Sequence, residues 1–225
     1  MKMTRTKIQT SICTIILTFC LIIPLQAQES NVGNWLIYIG NKKLNSRWNL
    51  HNEIQYRNYN AIGDLEQLLL RTGLGYTFNE GKNNALIGYG YIHSENYLDN
   101  SESSISVKEH RIFQQFTAVS LIGIVKLQHR YRFEQRFVEQ DFKQRFRYFL
   151  SLNVPVFTKK DQMIYLSAYN EIFIKTEASV FDRNRLYGGV GYKINKNIKV
   201  EIGYMNQFYE TRNRSQLNLI TFLNF

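Results

Sequence analysis

Residues 125–153 read VKLQHRYRFEQRFVEQDFKQRFRYFLSLN. Every second residue from Lys126 gives Lys126, Gln128, Arg130, Arg132, Glu134 and Arg136; the interleaved set is Val125, Leu127, His129, Tyr131, Phe133, Gln135 and Phe137. After a short polar break the pattern returns. Phe142, Phe146, Tyr148, Leu150 and Leu152 share one side with Gln144, and Lys143, Arg145, Arg147, Ser151 and Asn153 share the other with Phe149. A period of two is the signature of a β-strand, because successive side chains point to opposite faces of a sheet. The polar face here is long-chained and mostly cationic, and the apolar face is largely aromatic. An aromatic outer wall around a charged lumen is the pattern of a transmembrane β-barrel.

The start of the chain supplies the compartment. Lys2, Arg5 and Lys7 precede a nearly uncharged apolar run, 8–23, and Ala27 follows it. A basic start, an apolar middle and a small residue at the break predict a signal peptide over 1–27, cleaved after Ala27. The run is short for a membrane-spanning helix, which needs about 20 apolar residues. Both cysteines, Cys13 and Cys20, fall inside it, which leaves the mature chain, 28–225, without a disulfide framework or a thiol nucleophile. The formal net charge is +10; removal of the three basic leader residues leaves +7. A basic balance suits nucleic acid or anionic surfaces, and export excludes nucleic acid. The mature length suits one domain.

Eleven segments read as strands: 32–40, 47–59, 67–78, 84–93, 108–121, 124–137, 142–153, 162–174, 182–193, 198–208 and 215–225. The fifth alternates poorly. NEGKN (79–83) and NKN (195–197) have the composition of hairpin turns, while 95–107 is long, serine-rich and acidic. Short turns at one end and longer loops at the other are the bacterial outer-membrane arrangement, and strands near eleven residues suit a tilted crossing. Single-chain bacterial barrels have an even strand number. The sequence therefore predicts an all-β, antiparallel transmembrane β-barrel of 10 or 12 strands. Segment 32–40 then lies outside the wall or within the lumen, or another strand is missed or split. A soluble sandwich or a lipocalin-like barrel would place its apolar face inward.

RYRFEQRF (130–137), YLSAYNEIFI (165–174), FDRNRLYGGVGYKINKN (181–197) and IGYMNQF (202–208) resemble an uncharacterised bacterial family, domain of unknown function 2490, of Bacteroidetes-type bacteria. The resemblance runs from Trp35 to Phe225. It implies an outer-membrane barrel of undefined activity and supplies no catalytic residues. Terminal Phe225, with Leu223, Leu219 and Leu217 alternating before it, looks like the signal read by the outer-membrane assembly machinery.

The chemistry-bearing candidates are few. His51, His93, His110 and His129 show no paired ligand spacing, and no metal or cofactor is expected, although Glu95, Asp99, Glu102 and Glu109 lie near His93 and His110 in sequence. His129 is expected to face Phe116 rather than a serine, and His93 and Ser94, being adjacent, point apart. No catalytic residue is assigned. The strongest constellation is a lumen charge network of Glu53, Arg57, Arg71, Arg130, Arg132, Glu134, Arg136, Arg145, Arg147, Glu171, Arg183, Arg185 and Glu201. In a narrow barrel these either pair into a rigid core or line an anion path, since buried charges must be paired and arginine binds carboxylate and phosphate in a bidentate fork. The expected protein is a monomer in the bacterial outer membrane, in contact with lipid and lipopolysaccharide. It serves as a structural barrel or narrow pore rather than an enzyme. The alternative is a membrane-embedded hydrolase acting on lipid or lipopolysaccharide; a Ser/His pair on the outer face would favour it.

Overall fold

Alternation dictates the architecture: each strand must keep one face in a polar interior and the other on an apolar exterior, and only closure removes the sheet edges. The computed structural model describes residues 32–60, 64–97, 103–177 and 179–225; the expected leader, 1–27, lies outside them. The described residues form β1 (Gly33–Lys43), β2 (Trp48–Asn58), β3 (Leu65–Phe78), β4 (Asn83–Tyr97), β5 (Ser104–Ile122), β6 (Val125–Val138), β7 (Asp141–Lys159), β8 (Gln162–Lys175), β9 (Phe181–Lys193), β10 (Ile198–Phe208) and β11 (Asn213–Asn224). Each pairs with its sequence neighbours, and β1 pairs with β11 to close the barrel. No helix occurs among the described residues.

The expectation of 10 or 12 antiparallel strands is corrected to eleven in a mixed barrel. The ten consecutive pairs are antiparallel, so the first and last strands of an odd set run the same way. β1 and β11 accordingly pair in parallel, from Gly33↔Gln216 to Asn41↔Asn224. Segment 32–40 is therefore part of the wall, bonded on both sides. Its Trp35 and Ile37 are buried with Tyr187, Met205 and Ile220, an apolar cluster behind the parallel seam.

Two further corrections concern register. Hairpin β5–β6 turns at Gly123 and Ile124, with Gly123 at φ +59°, so His129 opposes Ala118, and Phe116 opposes Tyr131. Within 95–107, residues 95–97 and 104–107 are strand, because β4 and β5 pair as far as Tyr97↔Ser104. The poorly alternating fifth strand has Phe113 inward, fully buried. A Cβ at Gly88 would lie 2.4 Å from the Phe113 ring, so the glycine is what lets an aromatic side chain turn into the lumen. Tyr165 lies over Gly191 in the same way, at 2.0 Å.

The outer face is apolar and exposed on every strand, including Ile54, Leu74, Ile87, Tyr131, Phe146, Val190, Ile202 and Leu219. Aromatic side chains run across neighbouring strands there, Phe116–Tyr131–Tyr148 at ring separations of 6.4 and 5.0 Å and Phe133–Phe146 at 4.6 Å. Polar residues on this face bond to one another: the His129 Nδ1 to Tyr148 Oη distance is 2.9 Å, and Asn170 Nδ2 donates to Asn184 Oδ1 at 2.7 Å.

Candidate lumen charge site

The two-residue turn 139–140 fixes the register of β6 on β7, and that register sets Glu134 directly opposite Arg145. Arg145 donates to Glu134 Oε2 through Nε (3.0 Å) and Nη2 (2.6 Å), while Arg147 Nη1 donates to Oε1 at 2.7 Å. Arg132 and Arg111 complete the surround, at 3.7 and 4.0 Å. Glu134 has no solvent exposure. A carboxylate so placed loses its hydration entirely, and only several charge-assisted bonds offset that loss.

Arg147 bridges to a second carboxylate. Its Nε and Nη2 donate to Glu171 Oε1 at 3.1 and 2.7 Å, and Arg130 Nη2 donates to the same oxygen at 2.8 Å. Arg185 Nη1 stands 3.6 Å from Glu171 Oε2 and its Nε donates to Gln207 Oε1 at 2.8 Å. Phe173 lies under this group, with the guanidinium carbons of Arg147, Arg185 and Arg145 at 4.4, 4.6 and 5.1 Å from its ring centre. Such stacking leaves the guanidinium edges free to donate.

The other expected members fall into smaller groups. Glu53 accepts from Arg71 Nη1 at 2.8 Å. Arg57 donates to Gln55 and, at 2.6 Å, to Gln67, and stacks 3.7 Å over Trp35. Arg136 binds Glu109, and Arg183 binds Asp182 and Tyr209 Oη. Glu201 accepts from Tyr165 Oη at 3.0 Å. Glu109, Arg111, Asp182 and the glutamines Gln55, Gln115 and Gln207 are members that the alternation reading missed. Glu109 and Arg111 lie on β5, where Phe113 breaks the chemical pattern; the period of two through Glu109, Arg111, Phe113 and Gln115 was the available signal.

Toward the end that holds turns 44–47, 79–82 and 123–124, the lumen opens into a cavity of about 620 Å³. Ten Lys and Arg line it, including Arg130, Arg132, Lys126 and Lys199, against the acids Glu53, Glu171 and Glu201. Glu134, Gln207, Gln216 and Asn218, all at most 1% exposed, lie outside that lining. The cavity is thus a cationic vestibule that ends at the network. Among the described residues, no group of three His, Asp or Glu converges as a metal would require; Asp99 and Glu102 lie outside them.

A family model described as protein of unknown function (DUF2490) matches residues 32–218, the whole span from before β1 to the middle of β11. The chain belongs to this family. It is also 31% identical over 172 residues to an uncharacterised protein of Methylorubrum extorquens, with 71% of each chain covered. The family description names no activity, so function is argued from the geometry.

Proposed function

We propose that this DUF2490 barrel is a monomeric protein of the bacterial outer membrane, reached through a signal peptide cleaved after Ala27, and that its lumen is closed by its own ion pairs. The single observation that carries the closed lumen is Glu134, without solvent exposure and surrounded by four arginines. A water-filled path would leave such charges hydrated; here Arg145 and Arg147 bond Glu134 across strands β6 and β7, with Arg132 and Arg111 beside it. The role is that of a structural barrel with a cationic vestibule, rather than an open pore.

The exposed apolar exterior supports the membrane setting, since a hydrocarbon solvent requires a closed barrel with an apolar outer band. Terminal Phe225 is exposed and its amide donates to Asn41 O at 3.0 Å, which leaves the side chain available to assembly machinery. Lipid and lipopolysaccharide are the expected surroundings of the outer face.

Fractionation tests the setting. The mature protein is expected in outer membranes, with electrophoretic mobility that changes on boiling in detergent. Recovery as a soluble periplasmic protein without such a shift would contradict the membrane reading.

A further inference from the structure

The end of the barrel opposite the vestibule carries a second polar constellation, on the outside of the wall. β4 pairs with β3 only as far as Gln67↔Ser94, and β5 pairs with β6 only as far as Glu109↔Val138. Beyond those points β4 and β5 continue together to Tyr97↔Ser104 as a two-stranded ribbon. Directly paired residues share a face of such a ribbon, as do residues two apart on either strand, and here Glu95 pairs with Ser106 and Tyr97 with Ser104. His93, Glu95, Ser104 and Ser106 therefore lie on the outer face, while Ser94 turns inward and accepts from Gln67 Nε2 at 2.8 Å.

Their geometry has a direction. His93 Nε2 stands 2.8 Å from Glu95 Oε1, and Ser104 Oγ donates to Glu95 Oε2 at 2.6 Å. The carboxylate is thus fixed on one oxygen by a hydroxyl and accepts from the imidazole on the other. A proton held on Nε2 leaves Nδ1 as the basic nitrogen. Nδ1 faces Ser106 Oγ at 3.5 Å, a separation that such pairs show before substrate is bound. Nucleophile, base and orienting acid stand in the order that acyl-transfer chemistry needs.

We propose that Ser106, His93 and Glu95 form a catalytic site for hydrolysis of the acyl esters of membrane amphiphiles. The site lies where the outer face changes character. Ile87, Tyr89 and Ile112 below it are exposed and apolar, whereas Ser106 and Lys108 at its own level and Ser104 beyond are exposed and polar, with the Tyr97 ring exposed beside Ser104. In a bilayer that boundary is where acyl esters lie, between the chains and the headgroups. Lys108, opposite His93 in register, adds a cation on the same face for the oxyanion or an anionic headgroup. Ser106 Oγ attacks the ester carbonyl carbon while His93 Nδ1 takes the hydroxyl proton. The C–O bond to the alcohol then breaks, with His93 returning the proton to the leaving oxygen. Water, deprotonated by His93, attacks the acyl-serine, releases the fatty acid and restores Ser106. Glu95 acts by orienting His93.

The depth of this site rests on the membrane reading; its chemistry does not. The first test is labelling of the folded full-length protein in detergent by a fluorophosphonate, with the modified residue mapped by mass spectrometry. Expected are an adduct on Ser106, labelling slowed at least about 100-fold in His93→Asn and at least about tenfold in Glu95→Gln, and no change in Ser94→Ala. Heat-modifiable mobility shows that each variant is folded. No adduct in the wild type, or equal rates in folded His93→Asn, overturns the proposal. The second test is fatty-acid release from lipopolysaccharide micelles and from glycerophospholipid vesicles. Release from either, lost in Ser106→Ala, supports the site and names its source; release from neither overturns the hydrolase. A soluble protein that still labels at Ser106 would contradict the membrane setting and leave the site standing.

Discussion

Two carboxylates on neighbouring parts of the same sheet have opposite surroundings. Glu134 meets only guanidinium groups, each of its oxygens bonded to a different arginine, and no solvent reaches it. Glu95 is partly exposed on the outer face, and it bonds a hydroxyl on one oxygen and an imidazole on the other. Arginine stays charged at every accessible pH, so the Glu134 contacts have no proton to move, and they hold strands together. An imidazole can move a proton, and His93 has a serine on its free nitrogen. The difference lies in the partners rather than in the acid: one set makes a fastener, the other a reactive chain.

Breaking the fastener gives the largest expected effect. Glu134→Gln leaves Arg145 and Arg147 short of a buried counter-charge, and loss of one partner of a buried pair costs about 3–5 kcal/mol. The check is the denaturant midpoint of the barrel refolded in detergent. A shift of under about 1 kcal/mol, the range of exposed pairs, would mean that water reaches Glu134. Gly191→Ala comes next. The added Cβ meets the Tyr165 ring at 2.0 Å, and overpacking of this kind costs about 1–3 kcal/mol, read from the same midpoint; an unchanged midpoint would mean that Tyr165 moves freely aside. Removal of Phe225 is expected to lower the amount of barrel in the membrane fraction while the midpoint of the assembled protein stays unchanged. Normal amounts would remove the terminal signal. Smallest of all, Glu95→Gln should leave the unfolding midpoint where it is while slowing the labelling of Ser106, the reverse of Glu134→Gln. A fall in stability without a fall in labelling would make Glu95 a fastener as well.

The sequence carried the walls more clearly than the neighbours. Ten of the eleven strands were legible from alternation, because burial of one face and exposure of the other constrain each residue locally, and only the fifth alternates poorly. Which strand closes on which was not, because the parity of the strand number belongs to the whole chain. The even-number expectation left open whether 32–40 lay off the wall or another strand was missed or split, and the parallel β1–β11 pair places 32–40 in the wall. The Glu134–Arg145 contact was within reach, since a two-residue turn fixes that register. Glu109 and Arg111 were hidden by Phe113, whose inward turn depends on a glycine one strand away. Ser106 was hidden differently. Serine-rich 95–107 has the composition of a loop, and the pairing of its residues 95–97 with 104–106 depends on contacts between β4 and β5 that composition does not display.

Current through single molecules in a planar bilayer tests the closed lumen most directly. With Glu134, Arg145 and Arg147 bonded across the interior, the wild-type barrel is expected to insert without stepwise conductance at moderate voltage. Discrete, anion-selective steps from the wild-type protein would contradict the account, because ions would then be passing where the ion pairs are held to seal the barrel.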